Sequence, residues 1–107
     1  MWPPRRFLRP RQPAPGEVLA TLERTIDARA RSRPEGSYTV TLLDDPSLAG
    51  AKVQEEAEEV VRAVREETDE RVAEEAADVL YHLAVLLRGR DLTLADAERV
   101  LDGRRRR

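Results

Sequence analysis

The sequence predicts an all-α protein built as a small bundle of helices. Apolar residues recur at the helical period of 3.6 in four separate stretches of the 107-residue chain. The apolar content rests on Ala, Val and Leu, and aromatic residues make up only 4% of the chain, which suits helices better than a sheet. A chain of this length forms one domain with a modest core.

The first predicted helix runs from Glu17 to about Arg33 and stops before Pro34. Its apolar residues share one side at i, i+4 spacing: Val18, Leu22, Ile26 and Ala30. Turn residues at 34–37 then break the chain. Segment 37–43 is rich in β-branched and hydroxyl residues, and its pattern does not distinguish a short helix from an extended segment. It is either a substrate-contacting loop or an ordinary connector.

A long acidic helix is predicted from Pro46 to about Glu66, with Asp45 as its N-cap. A turn of about four residues, 67–70, leads into a third long helix that ends near Arg88, where Gly89 favours a left-handed cap. We expect the apolar stripes of both helices to be buried. The stripe of the acidic helix consists of Val53, Ala57, Val60, Val61 and Val64. The stripe of the helix that follows it consists of Val72, Ala76, Val79, Leu83, Leu86 and Leu87.

The last predicted helix opens at Thr93, which forms a capping box with Asp96, and stops by Gly103. Its apolar side consists of Leu94, Ala97 and Leu101. We therefore assign residues 16–103 to one all-alpha domain. Residues 1–15 form a leader rich in Pro and Arg that we expect to be disordered, and residues 104–107 form a basic tail.

Five carboxylates follow the apolar stripes of the two long helices. Glu56 lies about 80° from the stripe of its helix, with Glu59 and Glu55 further round, at about 100° per residue. Glu75 and Asp78 lie at the same offsets on the next helix, so two antiparallel helices could face these groups into a common space. Oxygen ligands without Cys select a hard ion such as Mg²⁺, which recruits phosphates. The alternative is an ordinary solvated glutamate-rich face.

Charge and composition limit the binding partners and the cellular compartment that we expect for this protein. The formal net charge is −2, and all 21 acidic residues lie between two arginine-rich tails. The acidic body argues against a nucleic-acid partner, although the tails alone could touch nucleic acid or lipid. The chain holds no Cys, no apolar run long enough for a membrane span and no signal-peptide pattern. We expect a soluble protein of the cytoplasm.

The third long helix is apolar nearly all round, because Tyr81 and Val85 lie opposite its stripe. A helix of this kind is enclosed on every side, which leads us to expect a homodimer with these residues at its two-fold axis. The alternative is that the last helix covers them. His82 shares the flank of Glu75 and Asp78, and is a phosphate contact, a hydrogen-bond partner of a carboxylate or a structural residue.

At these residues the chain resembles the phosphoribosyl-ATP pyrophosphohydrolase family of the all-alpha, MazG-like nucleotide pyrophosphohydrolases. The superfamily motif E-E-x-x-E, followed by E-x-x-D, is met at residues 55–59 and 75–78. Three further stretches make the resemblance specific to the family within this superfamily. They are residues 34–39, Lys52 and residues 77–83. It runs from about residue 18 to residue 101. The family often has Lys where Thr41 stands and Gly where Gln54 stands.

The resemblance implies a MazG-like bundle of about four helices, assembled as a homodimer. It implies Mg²⁺-dependent hydrolysis of phosphoribosyl-ATP to phosphoribosyl-AMP and pyrophosphate, the second step of histidine biosynthesis. The implied metal ligands are Glu55, Glu56, Glu59, Glu75 and Asp78. A carboxylate not fully used by metal, Glu56 or Glu59, could act as the base, and candidate substrate contacts are Ser37, Tyr38, Thr39, Lys52 and His82.

Other interpretations of the same pattern stay open. A housekeeping nucleoside triphosphate pyrophosphohydrolase would use the same metal chemistry, and a non-catalytic helical dimerisation module would carry the glutamates as surface. We expect no fused cyclohydrolase in these 107 residues, whereas a separate cyclohydrolase partner remains open.

Overall fold

The computed structural model describes residues 13–106, so most of the predicted leader (1–15) lies outside the described residues. Within that range the chain forms five helices and no strand, which confirms the all-α prediction. The helices are α1 (Glu17–Ser32), α2 (Tyr38–Leu43), α3 (Pro46–Glu66), α4 (Asp69–Arg88) and α5 (Leu94–Arg105). The helix beyond the predicted four is α2, which occupies the segment whose pattern was ambiguous.

Two helix starts follow their capping residues as predicted. The side chain of Asp45 accepts a hydrogen bond from the backbone N–H of Leu48 at 3.1 Å, and Pro46 occupies the first turn of α3. The predicted capping box of α5 is present, because Thr93 and Asp96 each accept from the other's backbone N–H. These polar side chains satisfy donors that have no partner inside the helix.

Three local predictions were wrong. Gly89 has a helical φ of −62°, and the left-handed turn residue is Asp91 with φ 58°, a conformation that Asp tolerates better than most residues. The link between α3 and α4 is residues 67–68 rather than 67–70, because the Thr68 hydroxyl caps α4. Helix α5 continues past Gly103 to Arg105, where arginines pair with Asp102 one turn earlier.

Helices α3 and α4 form an antiparallel hairpin that is the most extensive helix contact of the described chain. Helices α1 and α2 pack against α4, and α5 contacts α1. The core lies where these helices meet and consists of Ile26, Leu42, Ala49, Ala84, Val85 and Leu94. None of the helices in residues 13–106 combines the length and apolar content that a membrane span needs.

The valine stripe of α3 is only partly buried in the single chain, contrary to our prediction, because Val53 and Val60 are half-buried and the rest of the stripe is exposed. Val61 and Val64 are 60% and 64% exposed, and Ala57 is exposed. The helix turns its Glu56 and Ala63 side toward α4 instead, since the small, fully buried Ala63 permits close approach. An apolar surface therefore remains uncovered on α3.

The argument that Tyr81 and Val85 need a partner copy is also not supported. Val85 is 1% exposed and belongs to the core of its own chain. Tyr81 is partly buried and stacks against Tyr38 of α2, with ring centroids 6.2 Å apart. The short helix α2, which the pattern left unassigned, covers Tyr81, so neither a second copy nor α5 is required for this cover.

Candidate metal centre

Three of the five predicted carboxylates meet in the α3–α4 hairpin. Glu56 comes from α3, and Glu75 and Asp78 come from successive turns of α4. One carboxylate oxygen of each lies within 4.8 Å of the other two. Glu75 is buried, Glu56 is half-buried and Asp78 is exposed. The convergence follows from the packing of α3, because the side of the helix that faces α4 is the side that carries Glu56.

The cluster holds negative charge that the described residues do not fully compensate. Burial raises the pKa of the Glu56 carboxyl above its ordinary value, and the charges of Asp78 and Glu75 raise it further. His82 acts in the opposite direction but does not reverse the shift. A protonated carboxyl or a bound cation would relieve this repulsion.

Arg71 is a residue of this centre that sequence reasoning missed. It lies one turn before Glu75 on α4, and its guanidinium donates to the Glu75 carboxylate at 2.8 Å. The same guanidinium also contacts Glu67 and Glu74. The sequence signal was available, because Arg and Glu four residues apart share one helix face. Arg71 holds one oxygen of Glu75 at the rim of the cluster.

The other two predicted ligands lie outside the group of three. Glu55 is exposed and pairs with Lys52 at 3.5 Å. Glu59 pairs with Arg62 at 2.5 Å, one turn further along α3. Both carboxylates occupy the same helix as Glu56, and their roles as ligands stay predictions.

The predicted substrate contacts at the start of α2 and on α4 each make a hydrogen bond inside the protein. The Ser37 hydroxyl oxygen caps α2 by accepting from the backbone N–H of Val40. Thr39 is buried, and its hydroxyl lies 2.6 Å from the hydroxyl of Tyr81, which it would have to leave in order to reach a substrate. The hydroxyl of Tyr38 lies 3.0 Å from Nε2 of His82.

His82 is buried and lies one turn after Asp78 on α4. Its Nδ1 lies 2.8 Å from the backbone carbonyl oxygen of Asp78. Because a carbonyl oxygen only accepts, Nδ1 carries a proton and donates. Both ring nitrogens are therefore engaged inside the protein, and His82 links the α2 segment to the turn that carries Asp78.

The donor chemistry of the cluster suits a hard divalent cation. All three converging groups are carboxylates, and the chain holds no Cys. Mg²⁺ prefers oxygen ligands at about 2.0–2.1 Å, so two ligand atoms on one ion lie at most about 4.2 Å apart. The observed spread of up to 4.8 Å is slightly wider, which side-chain rotations of exposed Asp78 can close. Burial and then the charges of Asp78 and Glu75 raise the pKa of Glu56, which is the shift that a bound cation would oppose.

A separate cavity of about 750 Å³ lies between α1, the end of α4 and the loop before α5. Its lining residues do not include the carboxylate cluster. Asp27 pairs with both Arg31 and Arg88, and Arg88 also pairs with Asp91. Because these charges neutralise one another, we place the chemistry at the cluster rather than in this larger space.

The model of the family "Phosphoribosyl-ATP pyrophosphohydrolase" matches residues 19–105 of the chain. A "Phosphoribosyl-ATP pyrophosphatase" of Cereibacter sphaeroides is 47% identical over 89 residues, which cover 81% of this chain and 85% of the relative. One of Caulobacter sp. is 45% identical over 78 residues, 73% of each chain. A "Histidine biosynthesis bifunctional protein HisIE" of Xylella fastidiosa is 45% identical over 94 residues, and the match spans only 46% of that relative.

Proposed function

Since the chain belongs to the phosphoribosyl-ATP pyrophosphohydrolase family, we propose that it hydrolyses phosphoribosyl-ATP to phosphoribosyl-AMP and pyrophosphate, the second step of histidine biosynthesis. The observation that carries this proposal is the convergence of Glu56, Glu75 and Asp78 in the α3–α4 hairpin. The three groups belong to the two halves of one motif, and the fold brings these halves together.

We further propose that Glu56, Glu75 and Asp78 hold Mg²⁺. When bound, the ion would supply charge neutralisation for the phosphate oxygens and would make a water more acidic. The three carboxylates provide the negative site that draws the ion, and the same charge repels an anionic substrate in its absence. The cluster therefore couples metal uptake to substrate uptake.

Glu56 is the candidate base for the attacking water, with Glu59 as the alternative. Burial and the neighbouring carboxylates raise the pKa of Glu56 in the metal-free cluster, and a carboxylate that the metal does not use fully can take a proton from a water. Glu59 is tied to Arg62, and Glu55 to Lys52. These pairs lie beside the cluster, so Glu55 and Glu59 could join the ligand set, and Lys52 could contact a phosphate.

We also propose that two copies associate through the apolar surface of the hairpin. Val61 and Val64 on α3 are more than half exposed, and Leu80 on α4 is 38% exposed. Exposed apolar residues on one helix of a small protein indicate an association surface, and a two-fold axis would set the exposed valines of α3 against their copies. This proposal replaces the earlier interface at Tyr81 and Val85.

The proposed function is tested by measuring pyrophosphate release from phosphoribosyl-ATP and from a panel of nucleoside triphosphates. We expect turnover of phosphoribosyl-ATP in Mg²⁺, and none in excess chelator. Preference for an ordinary nucleoside triphosphate would overturn the substrate assignment in favour of a housekeeping pyrophosphohydrolase. Absence of turnover together with absence of any Mg²⁺-linked thermal shift would favour a non-catalytic dimerisation module.

A further inference from the structure

Tyr38 presents an aromatic ring that is linked through His82 to the backbone of Asp78, a member of the carboxylate cluster. One face of the ring stacks on Tyr81, with centroids 6.2 Å apart and planes at 18°. The His82 ring meets it edge-on at 5.8 Å. Tyr38 is nevertheless 47% exposed, and among the exposed large apolar residues of the described chain it is the one aromatic. The ring therefore has two aromatic neighbours inside the protein, while about half of the residue is accessible to solvent.

The direction of the hydrogen bonds limits what the Tyr38 hydroxyl can contact. The Asp78 carbonyl takes the proton on Nδ1 of His82, so in the neutral imidazole Nε2 is an acceptor. Tyr38 therefore donates its proton to His82 across 3.0 Å. Its oxygen keeps lone pairs, and these can only accept a hydrogen bond. A phosphate oxygen at neutral or alkaline pH is itself an acceptor, so it is not a suitable partner.

The position of the ring complements this chemistry. His82 lies one turn beyond Asp78 on α4, and Tyr38 lies beyond His82 as seen from the cluster. A substrate whose phosphates lie at Glu56, Glu75 and Asp78, and whose nucleoside runs along α4 past His82, would bring its sugar and base to Tyr38. In the nucleoside part of such a substrate, the groups that donate hydrogen bonds are the ribose hydroxyls and the exocyclic amine of the base.

We propose that Tyr38 recognises the nucleoside part of the substrate rather than its phosphate chain. The solvent-accessible part of the ring packs on a base, and the hydroxyl oxygen accepts a hydrogen bond from a ribose hydroxyl or an exocyclic amine. His82 is a positioning residue, because it takes the phenol proton and orients the hydroxyl. The inference rests on the proposed function, since it assigns part of the same site.

Calorimetric binding at pH 8 in saturating Mg²⁺ tests the inference without turnover. The two probes are an unhydrolysable adenosine triphosphate analogue with a methylene bridge between the α and β phosphorus atoms, and inorganic tripolyphosphate. Tyr38→Leu should weaken binding of the nucleotide about tenfold, as loss of one base–aromatic stack does. The affinity for tripolyphosphate should stay within about twofold of the wild-type value. Tyr38→Phe, which keeps the ring, should weaken the nucleotide less, by about threefold.

Tyr81→Phe is the matched control, because it removes a phenol that bonds Thr39 inside the protein and keeps the supporting ring. It should lower the melting temperature and leave both affinities unchanged. His82→Leu should weaken binding of the nucleotide as much as Tyr38→Phe does. The double variant should show no further loss of affinity. A merely structural role of His82 would instead give additive losses.

An equal loss of affinity for tripolyphosphate in Tyr38→Leu would assign Tyr38 to the phosphates and overturn the inference. Unchanged nucleotide binding in a folded Tyr38→Leu would remove Tyr38 from the site altogether. Failure of the proposed function has a different signature. The wild-type protein would then bind both probes as expected and leave phosphoribosyl-ATP intact.

Discussion

Replacing Glu56 by Gln should stabilise the metal-free protein, although it removes a charged residue from the site. Glu56 lies within 4.8 Å of carboxylate oxygens of Asp78 and Glu75. At this distance two unit charges repel by about 0.9 kcal/mol at the dielectric constant of water. Because the cluster is partly exposed and screened, we expect a net gain of about 1 kcal/mol in the free energy of unfolding. For a domain of this size, that gain corresponds to about 4–8 °C in the melting temperature.

The pH dependence of this gain follows from the raised pKa of Glu56. A carboxyl whose folded pKa lies above its ordinary value of 4.5 stabilises the fold below that value. This stability is lost as the pH rises through the folded pKa. Wild type and Glu56→Gln should therefore melt at similar temperatures at pH 4 and diverge by pH 7.5, where the variant is the more stable.

The assay is thermal unfolding in chelator and in Mg²⁺, followed by circular dichroism. Mg²⁺ should raise the melting temperature of the wild type and have a much smaller effect on Glu56→Gln, because a ligand stabilises only the state that binds it. Glu58→Gln is the matched control, since Glu58 is exposed on the same helix and outside the cluster. Equal melting temperatures of wild type and Glu56→Gln in chelator at pH 7.5 would refute the charge argument.

Three further outcomes are expected. Asp78→Asn should abolish pyrophosphate release with the helical circular dichroism signal intact; residual turnover above a few per cent in a steady-state assay would contradict its role as a ligand. Val64→Asp on the exposed apolar surface should shift the sedimentation coefficient to that of a monomer, and an unchanged dimer would place the interface elsewhere. The pKa of Asp96 is lowered, chiefly by the backbone N–H of Thr93 and then by Arg99. Asp96→Asn should therefore lower the melting temperature at pH 7 and leave it unaffected once the pH has fallen below the folded pKa of Asp96, which a melting series down to acid pH would check.

The sequence by itself determined the four longer helices, the capped starts at Asp45 and Thr93, and the candidate set of carboxylates on the two long neighbouring helices. These features depend on short-range rules, since a capping side chain reaches only its own first turn and the helical period sets which residues share a face. The two halves of the acidic motif could therefore be matched before any contact between them was known. Local rules were less reliable at Gly89 and Gly103, where neighbouring arginines and Asp91 decided the outcome.

Only the tertiary structure decided which face of α3 packs on α4. The valine stripe carries more apolar area, but the small Ala63 lets the hairpin close along the side that holds Glu56, and packing at close range depends on shape as well as on hydrophobicity. The same packing separates Glu56, Glu75 and Asp78 from Glu55 and Glu59. The order of Tyr38, His82 and the Asp78 carbonyl joins residues far apart in the chain, and no periodicity within a single helix could specify it.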